Sequence, residues 1–199
     1  MQILSTHATK PRQSGFTLIE LMVTLSVLVV LMALAVPSFQ SMMASSTVTT
    51  TTNDLLTTLA QARSNAVRRG ARVTVCKSAN GSQCVTTGDW EQGWIMFNDD
   101  DHAGTNASVS TGETITFASP ATAGGIVVNG NLDYVSYAAD GQAKKMDGVA
   151  GFQAGTLRVC NTSSSLSNDK RARDLKLSRP GRVIIEKPVG GVVASCPFP

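Results

Sequence analysis

Few residues in this sequence have the types and spacing that chemistry requires. It holds two histidines. His7 stands near the start, and His102 sits among Asp, Gly and Asn, the setting of a solvated loop side chain. No nucleophile elbow, phosphate-cradling loop, His-Glu-x-x-His helix or paired Cys–His signature occurs. Asn98-Asp99-Asp100-Asp101-His102-Ala103-Gly104 offers hard oxygens followed by a glycine, the materials of a calcium loop, but lacks the distal bidentate Glu of an EF-hand. The stretch reads as an exposed hairpin loop. The residues point to a non-enzymatic protein with no metal site and no cofactor.

Four cysteines, Cys76, Cys84, Cys160 and Cys196, leave gaps of 7, 75 and 35 residues. None forms a C-x-x-C, which removes thioredoxin-like chemistry and disfavours a zinc ribbon. An even count in an exported chain favours two disulfides. Three pairings are open, and Cys76–Cys84 with Cys160–Cys196 is preferred. The first would staple the loop Lys77–Gln83, and the second would tie the C-terminal tail to an inner strand.

The remaining reactive feature is charge. From Asp169 to Lys187, seven basic residues outnumber three acidic ones, 7 − 3 = +4. Lys and Arg on neighbouring strand and loop positions could hold phosphates. No aromatic residue interleaves them to stack bases. The plainer role is a solvated sheet edge where basic residues discourage edge pairing. The whole chain, at 17 − 14 = +3, has no polyelectrolyte character.

A hydrophobic segment must position whatever follows it. Phe16 to Val36 contains one charge, Glu20. At about 1.5 Å per residue it spans roughly 30 Å, the thickness of a hydrocarbon core. Lys10 and Arg12 precede it, which orients a short N-terminus to the cytoplasm and the remainder outside. Ala33-Leu34-Ala35 imitates a signal-peptidase site, but the apolar run is longer than a signal h-region, and a plain signal has no use for Glu20. A carboxylate at mid-helix in hydrocarbon costs about 2.5–3.5 kcal/mol, an expense the helix N-terminus reduces without removing.

Gly15-Phe16-Thr17-Leu18-Ile19-Glu20-Leu21 closely resembles the type IV prepilin signature, with a short basic leader before it and an apolar stretch after it. The resemblance implies cleavage after Gly15 by an aspartyl prepilin peptidase and N-methylation of the new terminus, Phe16. It also implies that Glu20 pairs with the amino terminus of a neighbouring subunit, which would make it a register device. Pro37 falls where many pilins carry a proline that kinks or loosens the helix.

Beyond the apolar segment, Ser38 to Arg69 contains neither Gly nor Pro. Leu55, Leu59, Ala62 and Ala66 recur at helical spacing, with Leu56 and Val67 alongside. Arg63, Arg68 and Arg69 followed by Gly70 form a helix stop. The Thr47–Thr52 run is poor helix material, at up to about 0.7 kcal/mol per Thr relative to Ala, and could melt or bend locally. We read one helix from Phe16 to about Arg69. The alternative is an anchor, a Ser/Thr linker and a separate short helix. After Gly70 the period becomes two. Expected strands are Arg72–Lys77, Gly93–Phe97, Thr114–Ala118, Ile126–Asn129, Tyr134–Ala138, Thr156–Cys160, Asp174–Leu177 and Arg182–Glu186. Without a βαβ pattern, the sheet should be mostly antiparallel.

This second half resembles the minor pilin and pseudopilin family that includes FimT, FimU and GspH. The resemblance rests on Trp90 to Asp99 (WEQGWIMFND), Tyr134 to Gly141 (YVSYAADG) and Leu175 to Val183 (LKLSRPGRV). It implies an α+β type IV pilin fold, a long N-terminal helix packed on a mostly antiparallel two-sheet β domain. The organisation expected is a leader at 1–15, a helix at 16–69 with 16–36 in the membrane, and a head at 70–199. The implied partners are other minor and major pilins or pseudopilins, the prepilin peptidase and an inner-membrane assembly platform. The protein would prime or cap a type IV pilus or a type II secretion pseudopilus, from the bacterial inner membrane with a periplasmic head. The alternative is DNA uptake in transformation. Some FimT-type relatives carry a G-R-x-R motif for DNA; here Gly181 and Arg182 match it and Ile184 replaces the second arginine, with Arg179 nearby.

Mass spectrometry of the membrane form should find methylated Phe16 at the N-terminus, in a mature chain of charge 15 − 14 = +1. An N-terminus at Val36 would instead mark a cleaved secretory signal.

Overall fold

A computed structural model describes residues 15–101, 104–122, 124–146 and 151–198. The expected leader, up to Ser14, and His102 lie outside the described residues. The chain divides into two compact units, Met1–Phe39 and Gln40–Pro199.

Helix α1 runs Leu18–Arg69. Pro37 lies inside it and removes the N–H that the Ala33 carbonyl would otherwise receive. The threonine-rich stretch is helical, not melted. Its hydroxyls donate to carbonyls one turn back: Thr47 to Met43 at 2.9 Å, Thr49 to Ser45 at 3.1 Å and Thr52 to Val48 at 2.6 Å. Val48, Thr51 and Thr52 are also buried, so packing overrides weak propensity. The helix stops where the sequence said it would. Arg68 and Arg69 occupy its last turn, and Gly70 takes the left-handed conformation at φ 66°.

Among the described residues eight strands follow: β1 (Val73–Lys77), β2 (Trp94–Asn98), β3 (Ile115–Ser119), β4 (Ile126–Gly130), β5 (Tyr134–Tyr137), β6 (Gly155–Asn161), β7 (Ala172–Leu177) and β8 (Val183–Glu186). They match the expected strands with small shifts at the ends. They form two four-stranded sheets, ordered β3-β2-β1-β5 and β4-β6-β7-β8, and every strand pairing is antiparallel.

Period-two alternation divides each sheet into two apolar faces. One face meets α1: Val73, Val75, Met96 and Val135 from the first sheet and Val128, Leu157, Val159 and Leu175 from the second cluster with helix residues Leu55, Leu59, Ala62 and Ala66. Leu55 and Leu59 are almost fully enclosed, and each contributes about 1.5–3 kcal/mol of apolar burial. Leu56 is partly buried against this core, whereas Val67 is 54% exposed and lies outside it. The opposite faces carry the cysteines. Cys76 follows Val75 and points with Ile95, Phe97 and Tyr134, while Cys160 follows Val159 and points with Ala172 and Val192.

The disulfides are Cys76–Cys84 and Cys160–Cys196, the preferred pairing, and no cysteine is free among the described residues. The first ties a polar loop to the outer face of one sheet, and the second ties down the C-terminal tail, whose Val192 packs with Cys160 and Ala172 on the outer face of the other. In the loop-entropy model, breaking Cys160–Cys196 should cost about 3–4 kcal/mol and breaking Cys76–Cys84 about 2.5 kcal/mol. Urea denaturation of Cys160→Ser/Cys196→Ser and Cys76→Ser/Cys84→Ser double variants measures both. Equal losses would contradict the loop-length ordering.

Candidate functional site

The first candidate lies at the start of α1. Thr17 and Glu20 cap it reciprocally. The Thr17 N–H donates to Glu20 Oε2 at 2.9 Å, and the Glu20 N–H donates to Thr17 Oγ1 at 3.2 Å. The Thr17 hydroxyl also donates to Oε2 at 2.9 Å. This is a capping box, with Thr17 as cap and Glu20 three residues on. Sequence reading singled out Glu20 and passed over the Thr-x-x-Glu spacing that announces the box. Only Oε2 is engaged among the described residues, so Oε1 keeps its acceptor capacity. Gly15 has open space where a Cβ would stand, and Phe16 is exposed. Every large apolar side chain from Phe16 to Met43 is exposed as well, including Leu18, Leu25, Leu31, Phe39 and Met42.

The family-like motifs of the head turn out to build its frame. Trp90 and Trp94 are both buried: Trp90 Nε1 donates to the Leu132 carbonyl at 2.7 Å, and Trp94 Nε1 donates to Thr58 Oγ1 on α1 at 3.3 Å. Glu91 Oε2 accepts from the Val128 N–H at 2.9 Å and so ties the loop before β2 to the second sheet. Gly93 is required, since a Cβ there would stand 2.7 Å from the Ser119 carbonyl oxygen in a left-handed conformation. Tyr134 and Tyr137 belong to β5 and Arg182 to the β7–β8 turn. Arg63 on α1 reaches that turn and the connection after β5, donating to the Pro180 carbonyl at 3.0 Å and to the Gly141 carbonyl at 2.9 Å.

The acidic loop is the connection between β2 and its hairpin partner β3. Carboxylate oxygens of Asp99, Asp101 and Glu113 lie within 4.8 Å of one another. Glu113 lay outside the sequence motif, because only the β2–β3 pairing brings residues fourteen apart together. Its side chain closes the loop: Oε1 accepts from the Asp100 N–H at 3.0 Å and Oε2 from the Ser110 N–H at 2.8 Å. Burial, with Asp99 and Asp101 close by, raises the Glu113 carboxyl above its ordinary value. Asp99 is buried and accepts from the Thr74 hydroxyl at 2.6 Å, and Asp100 pairs with Arg69 at 3.1 Å.

The basic stretch is far less free than its count suggests. Arg171 is buried and donates to the carbonyls of Asn161, Ser163 and Leu166. Lys176 pairs with Glu186 at 2.6 Å, which holds its ammonium above the ordinary lysine value. Arg173 donates to the Ala172 carbonyl at 2.7 Å. Asp174 is taken by Arg158 in a buried two-pronged pair at 2.7 and 2.9 Å. Arg179 and Arg182 remain exposed at the β7–β8 turn beside buried Gly181. Nothing at this turn supplies an aromatic platform for bases.

Comparison with known proteins gives three findings. Residues 51–181 match the family model described as type II transport protein GspH. Residues 10–36 match the prokaryotic N-terminal methylation motif. Among solved structures, the chain is similar to the type IV minor pilin FimU of Pseudomonas aeruginosa strain PAO1 in two crystal forms. The first has 18% identity and a TM-score of 0.50, over 76% of this chain and 95% of that one. The second has 18% identity and a TM-score of 0.47, over 69% and 94%. No curated protein sequence matches. At this identity the first likeness bears on the fold alone, which is the type IV pilin fold.

The cap and the charge of Glu20 can be separated. Thr17→Ala should expose the first turn of α1 by about 1 kcal/mol, or roughly fivefold faster amide exchange at residues 18–22 in detergent. Glu20→Gln should preserve most of that protection, because Gln serves at the third position of a capping box. If the two variants exchange alike, the box does not hold the helix start.

Proposed function

We propose, on the premise that the chain belongs to the family described as type II transport protein GspH, that it is a minor pilin or pseudopilin that primes or caps a fibre. The carrying observation is the helix itself. Its core-facing residues beyond Val48 hold the head together, while the apolar side chains from Phe16 to Met43 have no cover in their own subunit. So much exposed apolar surface needs lipid or other helices. The matched methylation motif supports inner-membrane anchoring before assembly. In this reading the prepilin peptidase cleaves after Gly15, Phe16 is methylated, and residues 16–36 span the membrane with the head in the periplasm. The assembly platform then lifts the subunit into a type IV pilus or a type II secretion pseudopilus.

Glu20 fits the assembly step. Oε2 stays in its own helix cap while Oε1 accepts from the ammonium of a neighbouring subunit's Phe16. Burying that pair offsets part of the desolvation that an unpaired carboxylate would suffer. Pro37, with its missing hydrogen bond, supplies a point where α1 can adapt to packing.

DNA uptake remains the competing reading, favoured by the exposure of Arg179 and Arg182 and opposed by the internal engagement of Arg171 and Lys176. Binding through so few phosphates would be weak, with a shallow dependence on salt.

Fibre counts test the proposal. A strain lacking the protein should make far fewer fibres of ordinary length, since priming governs number rather than growth. Glu20→Gln should restore them incompletely, despite its intact cap. Ordinary fibre numbers with lost DNA uptake, reversed by wild type but not by Arg182→Gln, would promote the competing reading.

A further inference from the structure

The edge strands of a sheet present backbone groups with which a further strand can pair. Among the described residues, three of the four edges here are managed. On β4 the outward Val128 N–H is held by Glu91 Oε2 at 2.9 Å. On β5 the Ser136 carbonyl accepts from the Lys144 N–H at 2.9 Å, and the Ser136 N–H donates to Gln153 Oε1 at 3.1 Å. The Tyr134 carbonyl, on the same edge, accepts from Gln153 Nε2 at 2.7 Å. The pairing of β3 with β2 shifts register between Met96 and Phe97, the kind of irregularity that twists an edge away from partners.

The fourth edge, β8, has no such device. Its register against β7 is unbroken from Val183 to Glu186, and the strand contains neither Pro nor Lys. The Ser178 N–H donates to the Arg182 carbonyl at 2.9 Å. Antiparallel alternation from that pair turns the backbone groups of Ile184 and Glu186 toward β7 and those of Val183 and Ile185 away from it. No backbone group among the described residues answers the outward pair. Ile184 and Ile185 are each 38% exposed. The C-terminal tail leads away from this edge, since Val192 bonds to Asn168 and Cys196 is tied to Cys160 of β6.

A cavity of about 580 Å³ adjoins the start of the same strand. Leu56, Ala60 and Val67 line it from the side of α1 that the core leaves uncovered, and small Ala60 between two larger residues makes a notch. Val183 lines it from β8, with its side chain on the sheet face turned to α1, as are Leu175 and Leu177. Residues paired across strands share a face. A strand laid along β8 therefore places the side chain opposite Val183 over the notch. The rim is basic: Arg63, Arg68 and exposed Arg182 line the cavity, and no carboxylate among the described residues does. Glu186, the one carboxylate of β8, already pairs with Lys176.

We propose that β8 docks an extended segment of a neighbouring fibre subunit as an antiparallel fifth strand. A leucine-sized residue opposite Val183 seats in the notch, and the glutamate or aspartate that follows it lies opposite Arg182. A strand suits the edge because it offers the alternating N–H and C=O groups that Val183 and Ile185 lack. A carboxylate suits Arg182 because charge-assisted bonds are the strong ones. A second copy's β8 would satisfy the same code, with Ile185 and Glu186 opposite Val183 and Arg182. Its two-fold axis, however, stands normal to the sheet on which α1 lies, and so points the Gln40 ends of the two heads in opposite directions, away from a shared membrane. The proposal rests on the assembly reading, which supplies the neighbour.

The test uses the full 15N-labelled chain in detergent and an acetylated, amidated seven-residue peptide of alternating threonine and valine, with leucine followed by glutamate at its centre. Saturating peptide should slow amide exchange at Val183 and Ile185 roughly tenfold and leave the amides of β3 unchanged. N-methylation of the leucine, whose N–H faces Val183, should weaken binding roughly tenfold. N-methylation of the glutamate, whose N–H points away, should change it about threefold at most. Arg182→Gln, and a glutamine twin of the peptide, should each weaken binding roughly fivefold. Ala60→Phe, at an exposed position, should fill the notch and weaken the leucine peptide but not a glycine twin. No protection, equal losses from the two N-methylated peptides, or full binding by Arg182→Gln overturns the proposal. Self-association that the peptide breaks up would make a second copy the occupant, and overturns it too. Binding is read without fibres, so these failures leave the fibre counts standing, and ordinary fibre counts leave the peptide result standing.

Discussion

Burial of one face of α1 against two antiparallel sheets is the constraint on which the head depends. Val48, Leu55, Leu59, Ala62 and Ala66 are enclosed by residues from both sheets, so the helix acts as the spine that makes two small sheets share a core. Neither sheet, at four short strands each, would bury enough apolar surface alone. Trp94 reinforces the seam by donating to Thr58, and Glu91 reinforces it by accepting from the backbone of β4. The three motifs that resemble minor pilins lie at these seams.

The same logic explains where charge goes. Arg158 and Asp174 pair inside the second sheet, and the Arg158 guanidinium also reaches the Pro197 carbonyl at 2.8 Å and the Phe198 ring. Lys77, nearly enclosed, donates to the carbonyls of Thr86 and Gly88 and pairs with Asp133 at 2.7 Å. Arg171 holds three carbonyls of the loop between β6 and β7. These cations organise loops and the C-terminal tail, a use that buried guanidinium groups serve well. A count of basic residues therefore overstates what the surface offers to a polyanion. Lys170, Arg179, Arg182 and Lys187 stay exposed, with Arg179 and Arg182 together at one turn.

Function divides along the same helix. Its first part carries a capping box, a carboxylate with one oxygen to spare and an uncovered apolar surface. Its second part carries the core on one side and a notch on the other. In the proposed function a subunit held in a membrane before assembly and bound to neighbours after it would need both kinds of surface, and the sequence places them in succession.

The sequence alone announced the long helix, its stop at Arg69 and Gly70, the eight strands and the disulfide pairing preferred here, because each is written in local signals: apolar spacing, glycine, alternation and loop length. It also singled out Gly15, Phe16 and Glu20 through a compact motif. The division into two sheets came from the resemblance, since period-two alternation does not say which strands pair. Other features were decided only by tertiary structure. Helix through Thr47–Thr52 survives because Val48, Thr51 and Thr52 are buried, which propensity cannot register. Glu113 joins Asp99 and Asp101 through strand pairing across a long loop. Arg171 and Lys176 lose their freedom to partners several residues away in sequence, and Tyr137 meets the β7–β8 turn through a contact more than forty residues long in chain. Local sequence fixes what a segment wants to be. Which groups remain unanswered, as the outward backbone of Val183 and Ile185 does, depends on which distant segments come to lie beside them.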